Sequence, residues 1–160
     1  MSSQVLSAQA SVGLDAWARL LQAHASTTRA LSGSLLAEHG LTLNDYEALL
    51  RLARAKDGQM RRVDLAEQLT LTASGVTRLL DGLEAAGYVK RGACLTDRRV
   101  VYAVITEVGR EKLETASESH VAEVRALFDE RFGTEELEQL AELLSRLPGA
   151  ENASGEDCGT

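Results

Sequence analysis

The sequence predicts a mainly α-helical chain carrying one small β-hairpin. Three observations point there. Apolar residues recur at steps of three and four over most of its 160 residues. A single stretch, Tyr88 to Ile105, breaks that rhythm and turns β-branched. The one proline, Pro148, stands near the end, where it interrupts no long helix.

The first helix is expected over 12–38. Leu14, Trp17, Leu21, His24, Thr28, Leu31 and Leu35 share one face. Gly40 ends it, and Thr42 caps a second helix that turns Tyr46, Leu49, Leu50 and Ala53 inward. Asp57-Gly58 is a turn. A short helix follows at about 62–69. Thr72 then caps another, with Val76, Leu79, Leu80 and Leu83 on its inner face and Gly87 at its end. Two helices a few residues apart, the second opening with small polar residues, form a helix-turn-helix pattern. Tyr88 to Arg91 and Val100 to Ile105 read as the two strands of a wing with a polar, basic tip. Thr106 caps a long helix, about 107–131, and Thr134 caps a last one that stops at Pro148-Gly149.

The fold class is thus mainly α with a small β-wing, a winged helix-turn-helix region flanked by long helices. The expected organisation is a flexible N-terminus (1–11), helical dimerisation segments (12–41 and 107–147), a DNA-binding region (42–106) and a flexible acidic tail (148–160). One 50-residue winged module cannot cover so much apolar helix surface, so a homodimer is expected.

Composition narrows the function. The net charge is −7, but it is unevenly spread. Residues 61–110 carry eight basic and six acidic side chains, and residues 111–160 carry four and thirteen. A locally basic surface suffices for phosphate contacts, because affinity follows the contacts made and the counterions they release. No apolar run approaches the ~18 residues of a membrane helix. Met1-Ser-Ser-Gln-Val-Leu-Ser resembles no secretory leader, so a cytoplasmic location away from membranes is expected. Glycine-rich phosphate loops, G-x-S-x-G and H-E-x-x-H are missing, which argues against an enzyme, and no cofactor is implied. His24, His39 and His120 have no partners at standard metal-ligand spacing; a zinc sensor would need ligands from separate helices. His39 reads as a helix-end residue favoured by the dipole. Cys94 and Cys158 form no disulfide framework. Cys94, with basic neighbours in the wing, is a redox candidate, and an inert exposed thiol is the plainer reading.

The motifs Leu65-Ala-Glu-Gln-Leu69, Gly75-Val-Thr-Arg-Leu-Leu-Asp-Gly-Leu-Glu-Ala-Ala-Gly-Tyr-Val89 and Asp97-Arg-Arg99 with the later Ile105-Thr106 resemble those of the MarR family of bacterial regulators. The resemblance covers about residues 12–147. It implies a winged-helix regulator of transcription that binds double-stranded DNA as a dimer. The alternatives are a winged-helix protein-interaction module and a metal- or redox-responsive regulator.

The candidate DNA contacts are Arg62, Thr72, Ala73, Ser74, Gly75, Thr77, Arg78, Arg98 and Arg99. Short side chains from Thr72 to Thr77 let the helix N-terminus approach phosphates, and the hydroxyls can bond phosphate oxygens or base edges. Arg78 is placed to fork onto a guanine; the blander reading pairs it with Asp81 or Glu84. In the wing, Asp97 would pin one guanidinium while the other enters the minor groove, and the resemblance favours Arg99 for that role. Solvated tip charges are the bland alternative. A second candidate site comprises Trp17, Leu21, His24, Tyr46 and His120. In the family's architecture the first, second and fifth helices meet there, and an aromatic ring, two imidazoles and a phenol would suit a small aromatic or phenolic anion. The alternative is that these residues simply pack the core.

Overall fold

The computed structural model describes residues 12–93, 97 and 99–150. The chain divides into two units, residues 1–120 and 121–160.

In the first unit, α1 (Val12–His39) contributes only its C-terminal end to the core, through Leu35. Val12, Leu14, Trp17 and Leu21 stay exposed on its N-terminal half. The helix closes with the Gly40 N–H donating to Leu36 O at 3.0 Å. Thr42 then starts α2 (Leu43–Arg54) with a capping box. Its hydroxyl accepts the Asp45 N–H at 3.2 Å, and the Asp45 carboxylate accepts the Thr42 N–H at 2.8 Å. Such a cap stabilises a helix by about 1 kcal/mol. α2 buries Tyr46, Ala48, Leu49 and Leu52.

A 3-10 turn (Lys56–Gly58) leads into β1 (Gln59–Arg61), which no sequence signal anticipated. Three residues are too few to show alternation. They become a strand because β3 (Val101–Ile105) offers a free edge. β2 (Val89–Ala93) takes the other edge, giving an antiparallel sheet of order β1-β3-β2, with Met60 and Arg91 both opposite Ala103. α3 (Arg62–Gln68) buries Leu65 and Ala66, and α4 (Ala73–Ala85) buries Val76, Leu80 and Leu83. Gly87, at φ +79°, reverses the chain after α4 in a conformation that favours glycine. α5 (Glu107–Asp129) begins on the Thr106 hydroxyl, which accepts the Gly109 N–H at 3.0 Å. In this unit α5 buries Gly109, Leu113 and Ala116.

The second unit holds the end of α5 and α6 (Thr134–Ser145). The Phe128 and Phe132 rings meet with centroids 6.4 Å apart. Thr134 does not cap α6 as expected; it is the first helical residue, and Gly133 is the cap. The Glu136 carboxylate accepts the Gly133 N–H at 2.9 Å, the reciprocal half of a capping box. No residue of α6 is buried within the single chain.

Gly109 sets a close approach. A Cβ there would lie 2.2 Å from Tyr88 O, a backbone atom that cannot step aside without moving β2. Gly109→Ala is expected to destabilise the protein by about 1–3 kcal/mol, as overpacked sites do. Urea unfolding at fixed protein concentration checks this, and a midpoint equal to the parent's would refute the packing argument.

Candidate nucleic-acid interface

The interface is built on the first two turns of α4. The Thr72 hydroxyl accepts the Gly75 N–H at 3.0 Å and lies 3.2 Å from the Ser74 hydroxyl. Gly75 is small for a local reason: a Cβ would sit 3.1 Å from the Thr72 oxygen. The Thr77 hydroxyl donates to Ala73 O at 2.8 Å and accepts from an Nη of Arg62. Both threonine hydroxyls are thus engaged inside the protein, Thr72 as a cap and Thr77 as an anchor for Arg62. Arg62 is half-buried and reaches α4 through this bond. Ser74 remains exposed beside them.

Arg78, one residue beyond Thr77, is exposed. Among the described residues no carboxylate or hydrogen-bond acceptor engages its guanidinium. The acids on its own helix, Asp81 and Glu84, are taken by another residue. Arg91 of β2 donates from Nε to both oxygens of Glu84, at 3.0 and 3.1 Å, and from Nη2 to Asp81 at 3.1 Å. Glu84 first, and then Asp81, raise the Arg91 pKa above its ordinary value. Sequence reasoning missed Arg91, although strand alternation held the signal. Val89 is buried, so Arg91, two residues on, shares its face, and that face packs against α4.

Between α3, the start of α4 and β3 runs a groove of about 540 Å³. Val63, Val76 and Val101 contribute apolar walls, and Arg61, Arg62 and Arg99 contribute positive charge. Arg61 is held by the Asp64 carboxylate through two bonds of 2.6 and 2.7 Å, which raise its pKa. The Arg99 side chain is exposed and engages no carboxylate among the described residues. Asp97 accepts the Arg99 backbone N–H at 2.9 Å, so it shapes the turn through the main chain. Arg98 lies outside the described residues, as do Cys94 and Cys158.

The second candidate site is divided. Tyr46 and His120 meet, with ring centroids 4.6 Å apart, and the Tyr46 hydroxyl shares a 3.1 Å hydrogen bond with Ser117. His39, the last residue of α1, shares a 2.7 Å bond with Ser119 on the same stretch of α5. Trp17, at 57% exposure, Leu21, at 48%, and His24 lie on the open part of α1. Trp17 precedes the buried Leu35 by roughly 27 Å of helix axis. Within one chain, therefore, the five residues do not line one pocket. No group of three or more metal-binding side chains occurs among the described residues. No described helix is long and apolar enough to cross a membrane.

Comparison with known proteins agrees with this architecture. A model of the MarR family matches residues 39–100. AbsC of Streptomyces coelicolor, a MarR family transcriptional regulator, is 35% identical; the match spans 88% of this chain and 93% of that one, with a TM-score of 0.76. Sco3205 from the same organism, solved in complex with DNA, is 26% identical over 89% of each chain, with a TM-score of 0.79. The transcriptional repressor YetL of Bacillus subtilis is 30% identical over 111 residues, which is 69% of this chain and 66% of YetL. With its helices, three-stranded wing and Asp97-to-Thr106 motif in place, the chain belongs to the MarR family of winged-helix transcriptional regulators.

Proposed function

We propose that this regulator binds a pseudo-palindromic double-stranded operator as a homodimer and represses a neighbouring gene. The observation that carries the reading is the pair of uncommitted guanidiniums. Arg78 on α4 and Arg99 in the wing engage no carboxylate among the described residues, while Arg61, Arg62 and Arg91 around them are all engaged. A free fork on a recognition helix suits the O6/N7 edge of guanine. A free arginine at a wing tip suits a narrow minor groove. Ser74 and the N-terminus of α4 add phosphate contacts, with Ala73 and Gly75 small enough to permit approach. Arg98 is proposed to join Arg99.

Dimerisation is supported by uncovered apolar surface. Val12, Leu14, Trp17 and Leu21 on α1, and Leu143, Leu144 and Leu147 at the end of the chain, are exposed in one copy. We assign residues 12–41 and 107–147 to subunit pairing, with Trp17, Leu21 and His24 on the pairing surface. Two recognition helices about 34–36 Å apart would then meet successive major grooves. DNA-bound Sco3205 supports DNA as the target, and YetL, a named repressor, supports repression. A cytoplasmic location and a regulatory rather than catalytic role go with this reading. The effector is proposed to be a small aromatic or phenolic anion at the Tyr46–His120 pair.

Five outcomes test this. Footprinting the DNA beside the protein's own gene is expected to protect a two-fold symmetric site; a protein-interaction module would protect none. Arg78→Ala is expected to lose about 1–3 kcal/mol of operator binding and to relax specificity. Arg99→Ala is expected to lower the salt dependence by about 1; parent-like binding by both variants across salt rejects the assigned roles. Arg62→Ala and Thr77→Val are expected to weaken operator binding non-additively, because they break one shared bond; full additivity would show that they act separately. Salicylate-like compounds are expected to release the operator from the parent and not from His120→Ala. Equal release from both would remove His120 from the effector site.

A further inference from the structure

On an α-helix, a side chain meets its neighbours three and four residues away. For Arg78 these are Ser74, Gly75, Asp81 and Gly82. Asp81 is therefore the one acid on α4 within easy reach of the Arg78 guanidinium. The pair matches in charge and spacing, and an arginine folded along the helix onto Asp81 cannot reach a base. In the structure that pairing does not form. Arg91 reaches over from β2, donates to Asp81 at 3.1 Å and grips Glu84 through Nε at 3.0 and 3.1 Å.

We propose that Arg91 is a specificity-determining positioning residue: by holding Asp81 and Glu84 it keeps Arg78 free to read DNA. This rests on the role of Arg78 proposed above. Two other roles for Arg91 are physically distinct. As a strut, it would fix the angle between wing and α4, and the carboxylates would matter as much as the arginine. As a phosphate contact, it would add one released counterion and no sequence preference. Under the present proposal the carboxylate of Asp81 competes with DNA for Arg78, so removing it should help rather than harm. Stability offers little discrimination, because all three side chains are at least partly exposed and such ion pairs contribute little.

The test uses the full chain, the footprinted operator and a scrambled duplex of equal length, with affinities measured by fluorescence anisotropy across salt. Arg91→Gln is expected to weaken operator binding roughly tenfold, toward the low end of what a guanine contact contributes, and to leave the scrambled duplex nearly unaffected. Asp81→Asn should bind the operator at least as tightly as the parent. The double variant Arg91→Gln/Asp81→Asn should recover most of the loss. The salt slope of Arg91→Gln should equal the parent's. If Asp81→Asn weakens binding as Arg91→Gln does and the double variant shows no recovery, Arg91 is a strut and the proposal falls. A slope lower by about 0.9, with equal losses on both duplexes, makes it a phosphate contact and also overturns the proposal. Arg78→Ala separates the levels. If it binds like the parent, the base-reading role and this inference fail together. If it loses specificity while Arg91→Gln does not, only the Arg91 assignment fails. Thermal melts accompany each variant; should Arg91→Gln unfold, Asp81→Asn alone decides, since weaker binding than the parent contradicts competition.

Discussion

Thr106 is where the ends of three elements are tied. Its N–H donates to Tyr88 O at 3.0 Å, and its hydroxyl donates to Gly87 O at 2.6 Å while accepting the Gly109 N–H at 3.0 Å. The residue that leaves β3 thus starts α5 and grips the turn after α4. Gly109 completes the knot by allowing α5 within contact of the Tyr88 carbonyl. The C-terminal end of α4 and the base of the wing are therefore referenced to a single point.

The other end of α4 is held differently. Thr72 caps it and Thr77 receives Arg62, so α3 and α4 are joined by a hydrogen bond as well as by the packing of Leu65, Val76 and Leu80. The two kinds of contact differ in scale. Burying one of those leucines is worth about 2–5 kcal/mol against alanine, whereas an exposed ion pair such as Arg61–Asp64 contributes ~0–1 kcal/mol. The apolar residues hold the fold. The polar ones decide which arginines are spent internally and which remain for a ligand.

Much of this was legible in the sequence, and the reasons are local. Thr42, Thr72 and Gly87 announce helix boundaries because capping needs a hydroxyl or a positive φ at one defined position. The inward faces of α2 and α4 follow from spacing alone. β1 was not legible, since its existence depends on an edge that the chain supplies forty residues later. Thr134 misled because the glycine before it takes the cap position, with Glu136 reaching back to its N–H. At the candidate interface, sequence reasoning listed Thr77 and Arg62 as separate contacts and did not foresee the bond between them, which spans fifteen positions and carries no periodic signature. It weighed Asp81 and Glu84 as partners for Arg78 and overlooked Arg91, which claims both. The aromatic and imidazole residues of α1, α2 and α5 share a stripe pattern, but a 28-residue helix is too long for its two ends to serve one cavity.

The order β1-β3-β2 places the returning strand of the wing in the middle of its sheet, hydrogen-bonded along both edges. The base of the hairpin is consequently held on β3 from both sides, by β1 as well as β2. Doubling the length of a connection such as that from Ala93 to Val101 costs only about 0.6 kcal/mol of loop entropy. A change of length at 94–100 is thereby a small cost to folding. A lineage can remodel the wing's reach, charge or side-chain chemistry by altering that segment alone, while the helix it accompanies keeps its aim. Diversification of that segment can then proceed without a matching series of compensating changes in the core.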